Sequence, residues 1–174
     1  MWLTEIDPEL LIAALQNRAD EQRLRRLACA FARAAWPWLT DERSRHAVEV
    51  AERFASGTAN HAELVAAETL AKAVLDNGGI PFIGNIGGSQ PESVRWYAAR
   101  CAANAANTRA WTSTTNSASW FAAMLACEAL SEAMFEDAGV TQILHPRWIT
   151  ESEESEAILC AIIRAEFSES PFSS

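Results

Sequence analysis

Apolar residues along this chain recur at helical spacing and almost nowhere alternate. The clearest stretch is TDERSRHAVEVAERFASGTANHAEL, residues 40–64. Ala47, Val50, Ala51 and Phe54 fall at i, i+3, i+4 and i+7, which places one apolar stripe on a helix. Thr40 or Asp41 is placed to cap its first turn, Asp41 and Glu42 put negative charge at the positive end of the helix dipole, and Gly57 follows the last periodic residue as a stop. Asn60 with Glu63 three residues on reads as a capping box for the next helix, with Leu64, Ala67, Ala71, Val74 and Leu75 facing inward.

The same signals repeat on either side. Asp7-Pro8-Glu9 opens a short helix that buries Leu11, Ala14 and Leu15. Asp20 starts a second, striped by Leu24, Leu27, Ala28, Phe31 and Ala35, and Pro37 closes it by forcing Trp36 away from helical geometry. Pro91 and Glu92 open a fifth helix with Val94, Tyr97, Ala98, Cys101 and Ala105 on one face. After a polar run at 112–119 a sixth begins at Trp120, Phe121, Met124, Leu125 and Cys127, and Gly139 ends it. Val140 to Leu144 reads as a short extended piece. Thr150 with Glu153 is a second capping box, launching a last helix with Ile158, Leu159, Ile162, Ile163 and Phe167 inward. The segment 77–90, NGGIPFIGNIGGSQ, breaks the pattern and gathers five of the seven glycines.

The pattern predicts an all-α fold: a single-domain bundle of about six to seven helices over 1–167, with one glycine-rich irregular loop at 77–90 and a frayed tail at 168–174. Composition agrees, because alanine supplies about a fifth of the 174 residues and β-branched residues are sparse. A formal charge of -9 and a pI near 4.8 disfavour nucleic acid and anionic membrane surfaces, both of which need a positive field. A basic protein partner or a small ligand remains compatible with that charge. No apolar run approaches the roughly 18 residues of a membrane span, and residues 1–16 carry acids where a secretory signal carries bases. The expectation is a cytoplasmic protein.

Candidate chemistry is sparse. Cys29, Cys101, Cys127 and Cys160 are far apart, without a C-x-x-C pair, and read as buried reduced thiols. The glycine-rich loop is the best place for a backbone contact to a small molecule or anion, through Gly78, Gly79, Gly84, Asn85, Gly87 and Gly88. No Lys-Ser or Lys-Thr follows it, so it is not a nucleotide P-loop. With Ile80, Phe82, Ile83 and Ile86 interleaved, the structural reading is a plug folded onto the bundle. His46 and Glu49 make a His-x-x-Glu turn, and Glu68 and Glu128 lie on or beside apolar stripes. The Glu-x-x-His pair of helical metal sites is missing, so pairing with Arg45, Arg95 or Arg100 is the ordinary expectation. There is no G-x-S-x-G elbow and no recognisable cysteine nucleophile. No catalytic set, metal or cofactor is expected.

Two features suggest contact with another protein or a second copy. Arg18, Arg23, Arg25, Arg26 and Arg33 concentrate positive charge on the second helix, whereas Glu151, Glu153, Glu154 and Glu156 concentrate negative charge at the start of the last. Each reads first as a solvated face. The sharper alternatives are that the basic face docks an acidic partner, or that the patches meet within or between chains. Trp36 and Trp38 flank Pro37, and Trp148 follows Pro146, positions from which tryptophans serve as interaction anchors. The expectation is a non-enzymatic helical interaction module, with Arg23, Arg26, Arg33, Trp38 and Trp148 as candidate contacts. The alternative is an enzyme or small-molecule receptor centred on the glycine-rich loop.

The segments DPELLIAAL, RLRRLACAFARAAWPWLTDERSRHAVEVAERFASG and AIIRAEFSESPF together resemble a family of small uncharacterised planctomycete proteins. The matching positions are Arg23, Arg26, Leu27, Ala28, Cys29, Trp36, Asp41, Glu42, Arg43, Ser44, Arg45, Val48, Glu49, Glu52, Arg53, Gly57, Pro171 and Phe172. The stretch ACAFAR keeps one cysteine where such relatives often carry more, and SESPF lacks their Gly-Asn before Pro-Phe. The resemblance implies a compact helical domain of bacterial origin and carries no activity.

Overall fold

The computed structural model describes residues 7–15, 18–77, 90–108, 118–137 and 146–167, and of these the backbone alone at 77, 90–93, 121, 135–137 and 146–152. Among the described residues the fold is all-α, with seven α-helices, one 3-10 turn and no strand. The glycine-rich loop, the expected extended piece at 140–144 and the tail at 168–174 lie outside them.

Local chemistry sets most helix starts. In α1 (Pro8–Leu15) the Asp7 carboxylate accepts from the backbone N–H of Glu9 at 2.8 Å. In α2 (Glu21–Ala34) Asp20 accepts from Arg23 N–H at 2.7 Å, and in α3 (Glu42–Ala55) Asp41 accepts from Arg43 N–H at 2.9 Å. For α4 (His61–Asn77) the capping box closes both ways: Glu63 N–H donates to Asn60 Oδ1 at 3.0 Å and Asn60 N–H to Glu63 Oε2 at 2.9 Å. α3 ends in a Schellman turn. Thr58 N–H reaches back to the Arg53 carbonyl at 2.7 Å, Gly57 N–H to Phe54 at 3.0 Å, and Gly57 holds φ at +78°.

The chain continues through α5 (Gln90–Ala105), α6 (Ala118–Asp137) and α7 (Pro146–Glu166). Three boundaries depart from the sequence reading. Trp36–Trp38 forms the 3-10 turn, so Pro37 ends α2 without making Trp36 extended. The polar run gives Ala118 and Ser119 to α6. α7 starts at Pro146, four residues before Thr150, because proline suits a first helical turn and competes with the Thr150 cap.

α2, α5 and α6 are the centre. A large core cluster joins them to α1, α7 and Leu39; a smaller one joins α3 and α4 to Cys29 of α2 and to Ala103 and Ala106. Alanines carry the central contacts, with Ala98, Ala102 and Ala105 on α5 and Ala122, Ala126 and Ala129 on α6, and so small a side chain lets helix axes approach closely. Phe31, Leu27, Leu130, Ile163 and Phe167 fill the larger spaces. Ile158, expected inside, is 47% exposed, because among the described residues α7 packs mainly on α1, α2 and α6 and is lined inward by Ser155, Leu159 and Ile163. No helix among the described residues is long and apolar enough to cross a membrane.

Candidate functional site

The arginines of α2 do not form one free basic face. Arg23 donates to the Glu166 carbonyl at 3.1 Å and stacks its guanidinium 4.5 Å from the Phe167 ring centroid. Arg26 pairs with the Glu166 carboxylate at 2.8 Å. Together they fasten the C-terminal end of α7 to α2 through Glu166, which is not one of the acids gathered at the start of that helix. Arg33 makes a two-pronged bond to Glu52, both contacts at 2.6 Å, and lies 4.1 Å from the Trp36 ring. Arg45 also approaches that ring, at 5.4 Å, while donating to the Leu39 carbonyl. Trp38 is half-buried against the large core. The Trp148 side chain and Gly78, Gly79, Gly84, Asn85, Gly87 and Gly88 lie outside the described residues.

The TDERSR stretch is thus occupied with building a helix start: Asp41 caps it, Arg43 binds Asp41 at 2.8 Å, and Arg45 holds the preceding Leu39. The Arg43 bond is the leading reason that the Asp41 carboxyl is held below its usual range. Arg53 pairs with Glu63 at 3.3 Å and Arg45 with Glu42 at 3.7 Å.

The carboxylates that suggested a metal are accounted for otherwise. Glu68 is 5% exposed and accepts from Lys72 and from the backbone N–H and hydroxyl of Thr108. Burial alone would raise its pKa, but those hydrogen bonds outweigh it and the carboxyl is held below the usual range. Glu128 is exposed and meets Arg100 at 4.0 Å. Among the described residues no group of three or more His, Cys, Asp or Glu is placed to hold a metal ion. All four cysteines are buried and none is in a disulfide; burial pushes Cys29 and Cys127 up to about 12 and Cys101 well above the ordinary range. Such thiols pack as small hydrophobes and are poor nucleophiles.

Two features remain that sequence reasoning missed. The first is the outer side of α4. Leu64, Ala67, Glu68 and Ala71 face the core, yet Ala62, Val65, Ala66, Thr69 and Leu70 on the opposite side are exposed and uncharged, with Val65 at 39% and Leu70 at 46%. Even the Thr69 hydroxyl is turned back onto the Val65 carbonyl at 2.8 Å. An amphipathic surface helix normally carries charge there.

The second is a cleft of about 240 Å³ where the first turns of α2, α4 and α6 converge. Glu21, Gln22 and Arg25 come from α2, Phe54 from the end of α3, His61 and Leu64 from α4, Thr108 from beyond α5, and Ser119 from α6. Arg25 is buried, donates through Nη1 to the carbonyls of Ala105 and Asn107, and its Nε has no hydrogen-bond partner. Its position was legible in principle, since Arg25, Cys29 and Ala32 lie at i, i+4 and i+7 on a second buried arc of α2. Compared with known proteins, the chain matches no family model, no curated protein and no solved structure.

Proposed function

We propose that this chain is a non-enzymatic helical protein-interaction module, and that it docks an amphipathic helix of a partner protein along the outer side of α4. The observation that supports it is the uncharged exposed arc on the outer side of α4 between Ala62 and Leu70, which stops short of exposed Asp76: an exposed apolar stretch of a helix is a surface that a partner can cover. The exposed arc runs from Ala62 to Leu70, and Arg53, Glu63 and Lys72 supply polar groups at its margins. A 17-residue helix is about 25 Å long, so one face offers a few hundred Å² to a partner. That is at the small end of specific interfaces and suits transient, micromolar association. A cytoplasmic location accords with four buried cysteines outside any disulfide, and the resemblance to small planctomycete proteins accords with a bacterial source.

A photo-crosslinking residue at Leu70 tests this. In lysate of the source cell it is expected to yield an adduct of one defined mass, absent when the crosslinker replaces exposed Glu49 on α3. Val65→Glu should abolish the adduct while shifting stability by no more than about 0.5 kcal/mol, as for surface sites generally. Equal labelling from both positions, or an adduct indifferent to Val65→Glu, would refute the assignment.

A further inference from the structure

The Arg25 cleft carries a separate inference. Arg25 is 2% exposed. A guanidinium has five N–H donors and keeps its proton in proteins, so its positive charge is permanent. Both hydrogen bonds it makes leave from Nη1, to Ala105 O at 2.8 Å and Asn107 O at 2.7 Å, and Nε makes none. Those two carbonyls orient the group without neutralising it. Among the described residues no carboxylate forms an ion pair with it: Glu68 is bound by Lys72 and Thr108, and Glu21 acts from a longer distance. The Phe54 ring, 6.0 Å from the guanidinium carbon, adds a weak attraction. Buried charges in proteins are paired, since desolvation otherwise costs several kcal/mol per ion. The space beside it is the cleft, whose wall Arg25 helps to form.

The lining selects among anions. Arg25 is the permanently charged cation of the cleft, exposed His61 also lines it, Glu21 contributes a negative charge to its rim, and the whole chain carries -9. A doubly charged phosphate would meet that repulsion twice over, whereas a single carboxylate matches one guanidinium fork. The rest of the wall is Phe54, Ala55, Leu64 and Ala118, which suits a short apolar body, and Gln22, Thr108 and Ser119 supply polar edges. At about 240 Å³ the space lies below the usual 300–1,000 Å³ of drug-sized pockets, so the guest is small. The first turns of α2, α4 and α6 add the positive ends of three helix dipoles. We propose that this cleft binds a small organic monocarboxylate, with its carboxylate on Arg25 and its apolar body against Phe54 and Leu64.

Titration of the full chain by NMR, following backbone amides and the Arg25 Nε–H, tests it with benzoate, phenylacetate and isobutyrate as probes. Saturable shifts are expected at Gln22, Arg25, His61 and Ser119 with at least one probe, and none with benzyl alcohol, which keeps the ring and lacks the charge. Arg25→Met should lose binding. Should that variant fail to fold, Glu21→Gln decides the matter. Glu21 is exposed in a first turn, and removing its charge should tighten binding about threefold, the effect of one water-screened charge a few ångströms away. Equal binding of benzyl alcohol, saturation by inorganic phosphate alone, an unchanged affinity in Glu21→Gln, or no saturation by any carboxylate would each overturn the proposal.

Discussion

Gly57→Ala isolates a single backbone angle. Gly57 sits at φ +78° in the turn that ends α3, and a Cβ built there would meet nothing within 4 Å. No clash contributes, so the whole cost is that of holding an L-residue in the left-handed region, roughly 1–2 kcal/mol. The hydrogen bonds from Thr58 N–H to Arg53 and from Gly57 N–H to Phe54 fix the angle, since relaxing φ would break the Schellman pair. A stiffer unfolded chain offsets part of this, by at most about 1 kcal/mol, and the net loss should be close to 1 kcal/mol. For a domain of this size that lowers Tm by about 2–4 °C. Gly57→Asn should lose about half as much, because asparagine tolerates the left-handed region better. Chemical denaturation followed by far-UV circular dichroism, with wild type and both variants fitted to a shared m-value, measures the three. Gly57→Ala as stable as wild type would refute the reasoning by showing that the turn does not hold the angle. A loss above about 3 kcal/mol would refute it in the other direction, by showing that open space around Gly57 is filled.

Phe54 and Phe31 make a graded pair: Phe31→Ala removes a fully buried ring and should cost about 3–5 kcal/mol, whereas Phe54→Ala, on a half-buried ring at the cleft wall, should cost about 2 kcal/mol, and equal losses in denaturation would count against the burial described. Glu68 and Asp41 both have folded pKa values below the ordinary 4.5 and 3.8, so the stability they confer is fully present above those values and is lost as pH falls through the folded ones. Urea titrations between pH 7 and pH 3 should therefore show a shallower acid loss in Glu68→Gln than in wild type, and parallel curves would contradict it.

Features set by near neighbours in the chain were legible in the sequence. Asp7, Asp20, Asp41 and the Asn60–Glu63 box cap the helices they were read to cap, Gly57 stops α3, and the stripe Leu24, Leu27, Ala28, Phe31, Ala35 is wholly buried. What escaped depends on which helices become neighbours. A single stripe describes a helix with one covered side, but α2 lies between two core clusters, so its second arc, with Arg25 and Cys29, is buried as well. α7 errs oppositely: it has few neighbours, and Ile158 is left outside. At its start two valid signals competed, and Pro146 took precedence over Thr150. The cleft was invisible for the same reason, since its walls come from the ends of α2, α3, α4 and α6 and from Thr108 beyond α5, remote in sequence.

The four buried thiols give the molecule a set of internal clocks. Cys29, Cys101, Cys127 and Cys160 stand on α2, α5, α6 and α7, one to a helix. With values of about 12 at Cys29 and Cys127, roughly one molecule in ten thousand carries the thiolate at pH 8 while those helices stay docked. An alkylating reagent at that pH consequently counts separations of helices and ignores the closed state, and the rate at Cys29, Cys101 or Cys127, divided by that of an unstructured cysteine peptide, becomes an equilibrium constant for freeing that helix. Mass spectrometry of the alkylated chain would rank α2, α5 and α6 by how often each lets go, without a single substitution.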